Sequence, residues 1–132
     1  EGGSLTVADL ERLHALKTGA LIRASVLMAA HCKSGLAADQ LEALSIFGER
    51  VGLAFQVRDD ILDVESSSEA LGKTAGKDAA QAKSTYPALL GMEGAKAKLK
   101  ELDGVMQDAL SPFGQRATAL WALGKLAIHR TH

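Results

Sequence analysis

Gln56, Asp59, Asp60 and Asp63 stand at i, i+3, i+4 and i+7, so on an α-helix these four polar side chains share one stripe. They interrupt an otherwise apolar run that includes Val51, Ala54, Phe55, Val57, Ile61 and Leu62. Carboxylates stacked along one helix face repel, at about 0.2–0.5 kcal/mol per pair, so a cation is the natural occupant of the stripe. Mg²⁺ takes one or two carboxylates, keeps several waters and completes its shell with phosphate oxygens. An open acidic face therefore suits a metal–diphosphate better than a closed protein cage. The plain alternative is a solvated acidic helix end.

Charge changes sign along the chain after this stripe. Asp59, Asp60, Asp63, Glu65 and Glu69 fall within 59–69 without a base, whereas 73–83 holds Lys73, Lys77 and Lys83 against Asp78 alone. Metal on one side and ammonium groups on the other are what a metal-bridged polyphosphate needs. Lys17 is the second chemical candidate, because it sits on the apolar line through Leu13, Leu21 and Met28; its head must reach water by snorkelling or meet an anion. Gly48 and Gly52 continue the Gln56 line backward in steps of four. They either permit close helix packing or leave room for an apolar substrate tail.

The elements that must position these groups are helical. Leu10, Leu13, Ala20, Leu21, Ala24 and Met28 predict a helix over about 7–32, with Thr6 as N-cap, Gly35 as stop and Gly19 as a bend. Residues 37–64 repeat the pattern more strongly, with Leu41, Leu44, Phe47, Val51, Ala54, Phe55, Ile61 and Leu62 as a broad buried face. Residues 65–86, with three successive serines, Gly72 and Gly76, read as a long functional loop. Met92, Ala95, Leu99, Leu102, Met106 and Leu110 predict a third helix over 92–110. After Ser111-Pro112 a last one buries Ala117, Leu120, Trp121, Gly124, Ala127 and Ile128.

With 132 residues, 47% apolar and 23% charged, the chain suits one all-α segment spanning 1–132. A formal charge of -1 provides no global field for nucleic acid or an anionic membrane. Apolar runs fall far short of the roughly 20 residues that span a bilayer, and the first residues do not resemble a signal peptide. Cys32 is the single cysteine, which excludes an intrachain disulfide and fits a reducing cytoplasm; it reads as a packing residue. His14, His31, His129 and His132 show no ligand spacing.

The string from Gly52 through Gln56, Asp59, Asp60 and Asp63 to Val64 resembles the second aspartate-rich motif, FQxxDDxxD, of the trans-isoprenyl diphosphate synthases. Lys17-Thr18-Gly19 resembles the family's KTG segment. Leu71-Gly72-Lys73, Gly76-Lys77-Asp78 and Lys83-Ser84-Thr85-Tyr86-Pro87 resemble its lysine-bearing loop. All occur in family order over roughly 10–91, in wording closest to the bacterial farnesyl diphosphate synthase branch, also called geranyltranstransferases.

The resemblance implies the C-terminal helices of the isoprenoid-synthase bundle. It also implies Mg²⁺-dependent head-to-tail joining of isopentenyl diphosphate to an allylic diphosphate. Carried over residue by residue, it has Asp59, Asp60 and Asp63 hold Mg²⁺, Lys17, Lys73 and Lys83 meet diphosphate, and Asp78 hold metal-bound water. Gln56 and Thr18 would support the carbocation. Arg130 and the terminal histidines read as a cover over the site or as a frayed basic end.

The family uses two facing aspartate motifs, and this chain contains one. The expectation is a C-terminal half, inactive alone, that pairs with an N-terminal half carrying the first motif and dimerises when full length. Its apolar faces should then be left exposed and favour association. The alternatives are a synthase making geranyl or geranylgeranyl diphosphate, a non-catalytic subunit of the same fold, and a plain helical interaction domain.

Overall fold

A computed structural model of the chain describes residues 6–31, 35–70 and 85–132. All regular elements among them are helical: α1 Val7–His14, a wide π turn Ala15–Gly19, α2 Ala20–His31, α3 Ala38–Ala70, α4 Tyr86–Leu110, a 3-10 segment Ser111–Ala117 and α5 Thr118–His129. At 33 residues, α3 is about 50 Å long and forms the axis on which α2, α4 and α5 pack. Its Phe47, Val51, Ala54, Val57 and Ile61 meet α4's Leu99, Leu102 and Met106 and α5's Ala127 and Ile128 in one buried core.

Local chemistry explains most of the boundaries. Asp9 N donates to the Thr6 hydroxyl at 3.1 Å and Thr6 N donates back to the Asp9 carboxylate at 3.2 Å, a reciprocal cap on α1. Gly35 turns the chain after α2 at φ +89, which a residue with a Cβ adopts poorly. Arg23 Nε donates to Ser45 Oγ at 2.8 Å, tying α2 to α3, while Lys98 bridges α4 to Glu11 of α1 at 2.7 Å. Trp121, expected in the core, is only partly buried, with the Lys125 ammonium 4.6 Å above its ring.

Three boundaries or faces differ from the sequence expectation. Residues 65–70 continue α3 rather than opening a loop: Ser67 Oγ donates to Asp63 O at 2.8 Å, and Glu65 faces Lys96 of α4 at 3.8 Å. The third helix begins at Tyr86, six residues early, and breaks at Gly91 (φ +75), so the uninterrupted stretch starts near Met92 as the pattern indicated.

The third difference concerns the first helix. Leu13, Leu21 and Met28 point outward, at 37%, 71% and 70% exposure. The inward line instead runs through Leu10, His14, Thr18, Ile22, Val26 and Ala30, in steps of four. A step of four overshoots one α-helical turn, and the wider turn at Ala15–Gly19 takes up part of that overshoot.

Candidate active site

The acidic stripe lies in the second half of α3, and the fold separates its carboxylates by environment. Asp63 is exposed, Asp59 and Gln56 are half-buried, and Asp60 is 7% exposed. Asp60 faces α4, where its carboxylate accepts the Tyr86 N–H at 3.1 Å. Burial pushes the Asp60 carboxyl above its ordinary value, against the opposing effects of the Tyr86 N–H and Gln56. Tyr86 is itself fully buried, its ring stacked on His14 with centroids 5.9 Å apart, and burial drives its phenol well above the ordinary range. Asp60 thus sits where α1, α3 and α4 meet, while Asp59 and Asp63 keep the open face.

Gly52 brings the other chemical segment to this helix. A Cβ at Gly52 would lie 2.9 Å from Gly19 Cα, and one at Gly48 would lie 3.1 Å from Arg23 Cα. The two glycines are therefore filled by backbone, which is their packing role; the space is not left for a substrate tail. Contact between Gly52 and Gly19 seats the π turn, with Lys17 and Thr18, one turn before Gln56. Local departures of this kind are common at functional sites. Thr18 is half-buried, and Lys17 is placed here by its backbone. Lys73, Lys77, Asp78 and Lys83 lie outside the described residues.

Of the two expectations for Arg130, a cover over the site or a frayed end, the fold takes the first, and the exposed place of Phe55 beneath it had no sequence signal. Phe55, expected in the core, is 37% exposed at the rim, where the Arg130 guanidinium lies 3.9 Å from its ring centroid. The same guanidinium pairs with Asp59 and donates to Phe55 O at 3.2 Å, while Arg58 Nε donates to Arg130 O at 2.8 Å. Seventy-one positions separate Asp59 from Arg130, and no local pattern could report that pairing.

Among the described residues no group of three or more His, Cys, Asp or Glu side chains forms a metal cage. The donor set fits Mg²⁺ in a different manner: two carboxylates on an accessible face, one of which already holds a cationic side chain. A separate apolar cavity of about 210 Å³, lined by Val26, Ala30, Leu44, Phe113, Ala117 and Leu120, opens near the other end of α3. Leu44 is some 22 Å along the helix axis from Asp59, so that cavity is remote from the stripe.

Residues 1–115 match the polyprenyl synthetase family model. The chain is 42% identical over 127 residues to farnesyl diphosphate synthase of Escherichia coli (strain K12), covering 96% of this chain and 42% of that protein. It is 48% identical over 110 residues to farnesyl diphosphate synthase of Micrococcus luteus, covering 83% and 38%. With the chloroplastic geranylgeranyl pyrophosphate synthase of Capsicum annuum it shares 46% over 116 residues, covering 88% and 31%. The geranyltransferase structure from Legionella pneumophila superposes with a TM-score of 0.78 at 28% identity, covering 98% of this chain and 40% of that one. This chain thus spans about two-fifths of the length of the E. coli relative, and its all-helical fold, its acidic stripe and these matches make it a member of the polyprenyl synthetase family.

Proposed function

We propose that this chain supplies one metal–diphosphate wall of a prenyltransferase that joins isopentenyl diphosphate head-to-tail to an allylic diphosphate, with farnesyl diphosphate as product. The observation that carries the reading is the seat of Gly19 on Gly52. It puts the Lys17-Thr18 turn and the Gln56–Asp63 stripe on one wall, where cation and anion partners of a diphosphate belong together.

In this reading Asp59 and Asp63 hold Mg²⁺, and Asp60 fixes α3 against α4 from behind the same stripe. Lys17, Lys73 and Lys83 take the diphosphate oxygens, and Asp78 orders water at the metal. When bound, Mg²⁺ neutralises charge that accumulates on the leaving diphosphate. The lysines supply the rest of that neutralisation and orient the group, so the allylic carbon–oxygen bond breaks with its electron pair leaving on pyrophosphate. The Gln56 and Thr18 oxygens stabilise the allylic cation until the isopentenyl double bond attacks it and the released pyrophosphate takes up the proton lost from the product cation. Apolar walls keep water from that cation.

One acidic stripe meets a diphosphate from one side, so the reading includes a partner segment with the facing motif and no turnover by the 132-residue chain alone. Calorimetry with Mg²⁺ and pyrophosphate should show binding by the wild type and loss of it in Asp59→Ala and Lys73→Ala. Failure of the wild type to bind removes the reading. Formation of farnesyl diphosphate by this chain alone would remove the requirement for a partner.

A further inference from the structure

Arg130 follows α5 in an extended conformation (φ -59, ψ 151), and its side chain returns to α3. There it is 13% exposed, paired with Asp59, bonded to Phe55 O and stacked on the Phe55 ring. Arg58 holds its carbonyl, and Arg130 NH1 donates to His132 O at 3.2 Å, which closes residues 130–132 into a short strap. Yet the buried Nε of Arg130 has no hydrogen-bond partner among the described residues. An arginine selected only to anchor the strap would be expected to have its buried donors satisfied.

We infer that Arg130 and a divalent cation are alternative occupants of Asp59, so that metal loading expels the guanidinium and frees the strap. The inference rests on the metal reading of Asp59 given above. A guanidinium in contact with the carboxylate and a doubly charged ion at coordination distance repel each other strongly in a half-buried site. The strap is short and follows the end of α5, so its release is a local rearrangement that leaves the helix core in place. Arg130 is then a placeholder cation at Asp59 in the metal-free chain.

Mn²⁺ binding, followed by the paramagnetic resonance of the free ion, tests the competition. Arg130→Gln should bind Mn²⁺ more tightly than wild type, on the order of ten-fold, the scale of a lost charge-assisted hydrogen bond. Trypsin tests the release: Mg²⁺ should speed cleavage after Arg130 in the wild type, seen as loss of Thr131 and His132 by intact mass. Asp59→Asn should be cleaved quickly with or without Mg²⁺. Equal Mn²⁺ affinity in wild type and Arg130→Gln, or cleavage indifferent to Mg²⁺ in a chain that binds Mn²⁺, overturns the exchange and leaves the metal reading standing. No Mn²⁺ binding by either protein overturns both.

Discussion

The carboxylate of Asp60 accepts the backbone N–H of Tyr86 at 3.1 Å, so a residue in the middle of the acidic stripe closes the first turn of another helix. That donor is one of the N-terminal N–H groups a helix cannot satisfy internally. Asp60→Ala should lower unfolding stability by about 1–3 kcal/mol, because the N–H would stay buried without an acceptor. Asp60→Asn, which keeps an acceptor and removes the buried charge, should lose less. Asp63→Ala, on the exposed side, should stay within about 0.5 kcal/mol. Urea midpoints of the three variants check the order; an Asp60→Ala protein as stable as Asp63→Ala would contradict it.

Gly52 of α3 and Gly104 of α4 should respond to alanine with opposite signs. In Gly52→Ala the new Cβ meets the Gly19 backbone at 2.9 Å, and the helices must separate, at about 1–3 kcal/mol. The same shift moves the Lys17-Thr18 turn off the stripe, so pyrophosphate binding should weaken as well. Gly104→Ala meets nothing within 4 Å inside α4 and should raise stability by about 0.5–1 kcal/mol. Thermal melts of both variants, with and without Mg²⁺ and pyrophosphate, measure the contrast.

Two exposed or partly exposed groups set opposite pH limits. The Thr6 hydroxyl and backbone N–H hold the Asp9 carboxyl below its ordinary value. Its contribution is therefore present above the unfolded carboxylate pKa and is lost as pH falls through the folded value. Thr6→Ala should flatten the acid limb of the melting curve. Burial alone would lower Lys98, but Glu11 and Glu101 outweigh it and raise the ammonium above its ordinary value. That contribution is present below the unfolded lysine pKa and is lost as pH rises through the folded one. Glu11→Gln should flatten the alkaline limb. A Thr6→Ala curve that changes only at high pH would refute the assignment.

Leu21 and Met28 lie two turns apart on the outward side of α2, at 71% and 70% exposure, with Leu16 at 72% in the turn before them. An apolar line of this kind favours association. Light scattering should show self-association of the wild type and a larger monomer fraction for the Leu21→Glu, Met28→Glu double variant. Since neither side chain is buried, stability should change by about 0.5 kcal/mol or less per site. A wild type that stays monomeric at high concentration would count against it.

Much of this was written in the sequence because it is local. Side-chain period specifies a helix, Thr6 specifies its start, and the spacing of Gln56, Asp59, Asp60 and Asp63 puts them on one arc. Periodicity fixes angles between side chains of one helix, but it does not fix which direction along that arc meets a neighbour. Packing on α4 turned Asp60 inward and left Asp63 in the open. The wide turn at Ala15–Gly19 moved the buried line of α2 from Leu21 and Met28 to Ile22, Val26 and Ala30. Phe55 stands at the rim with Arg130 over its ring, a contact between segments far apart in the chain. The sequence by itself determined the helices and the chemical types of the groups they carry. Tertiary structure alone decided which carboxylate became an anchor and which kept a cation, because desolvation and long-range ion pairing arise only when distant segments are packed together.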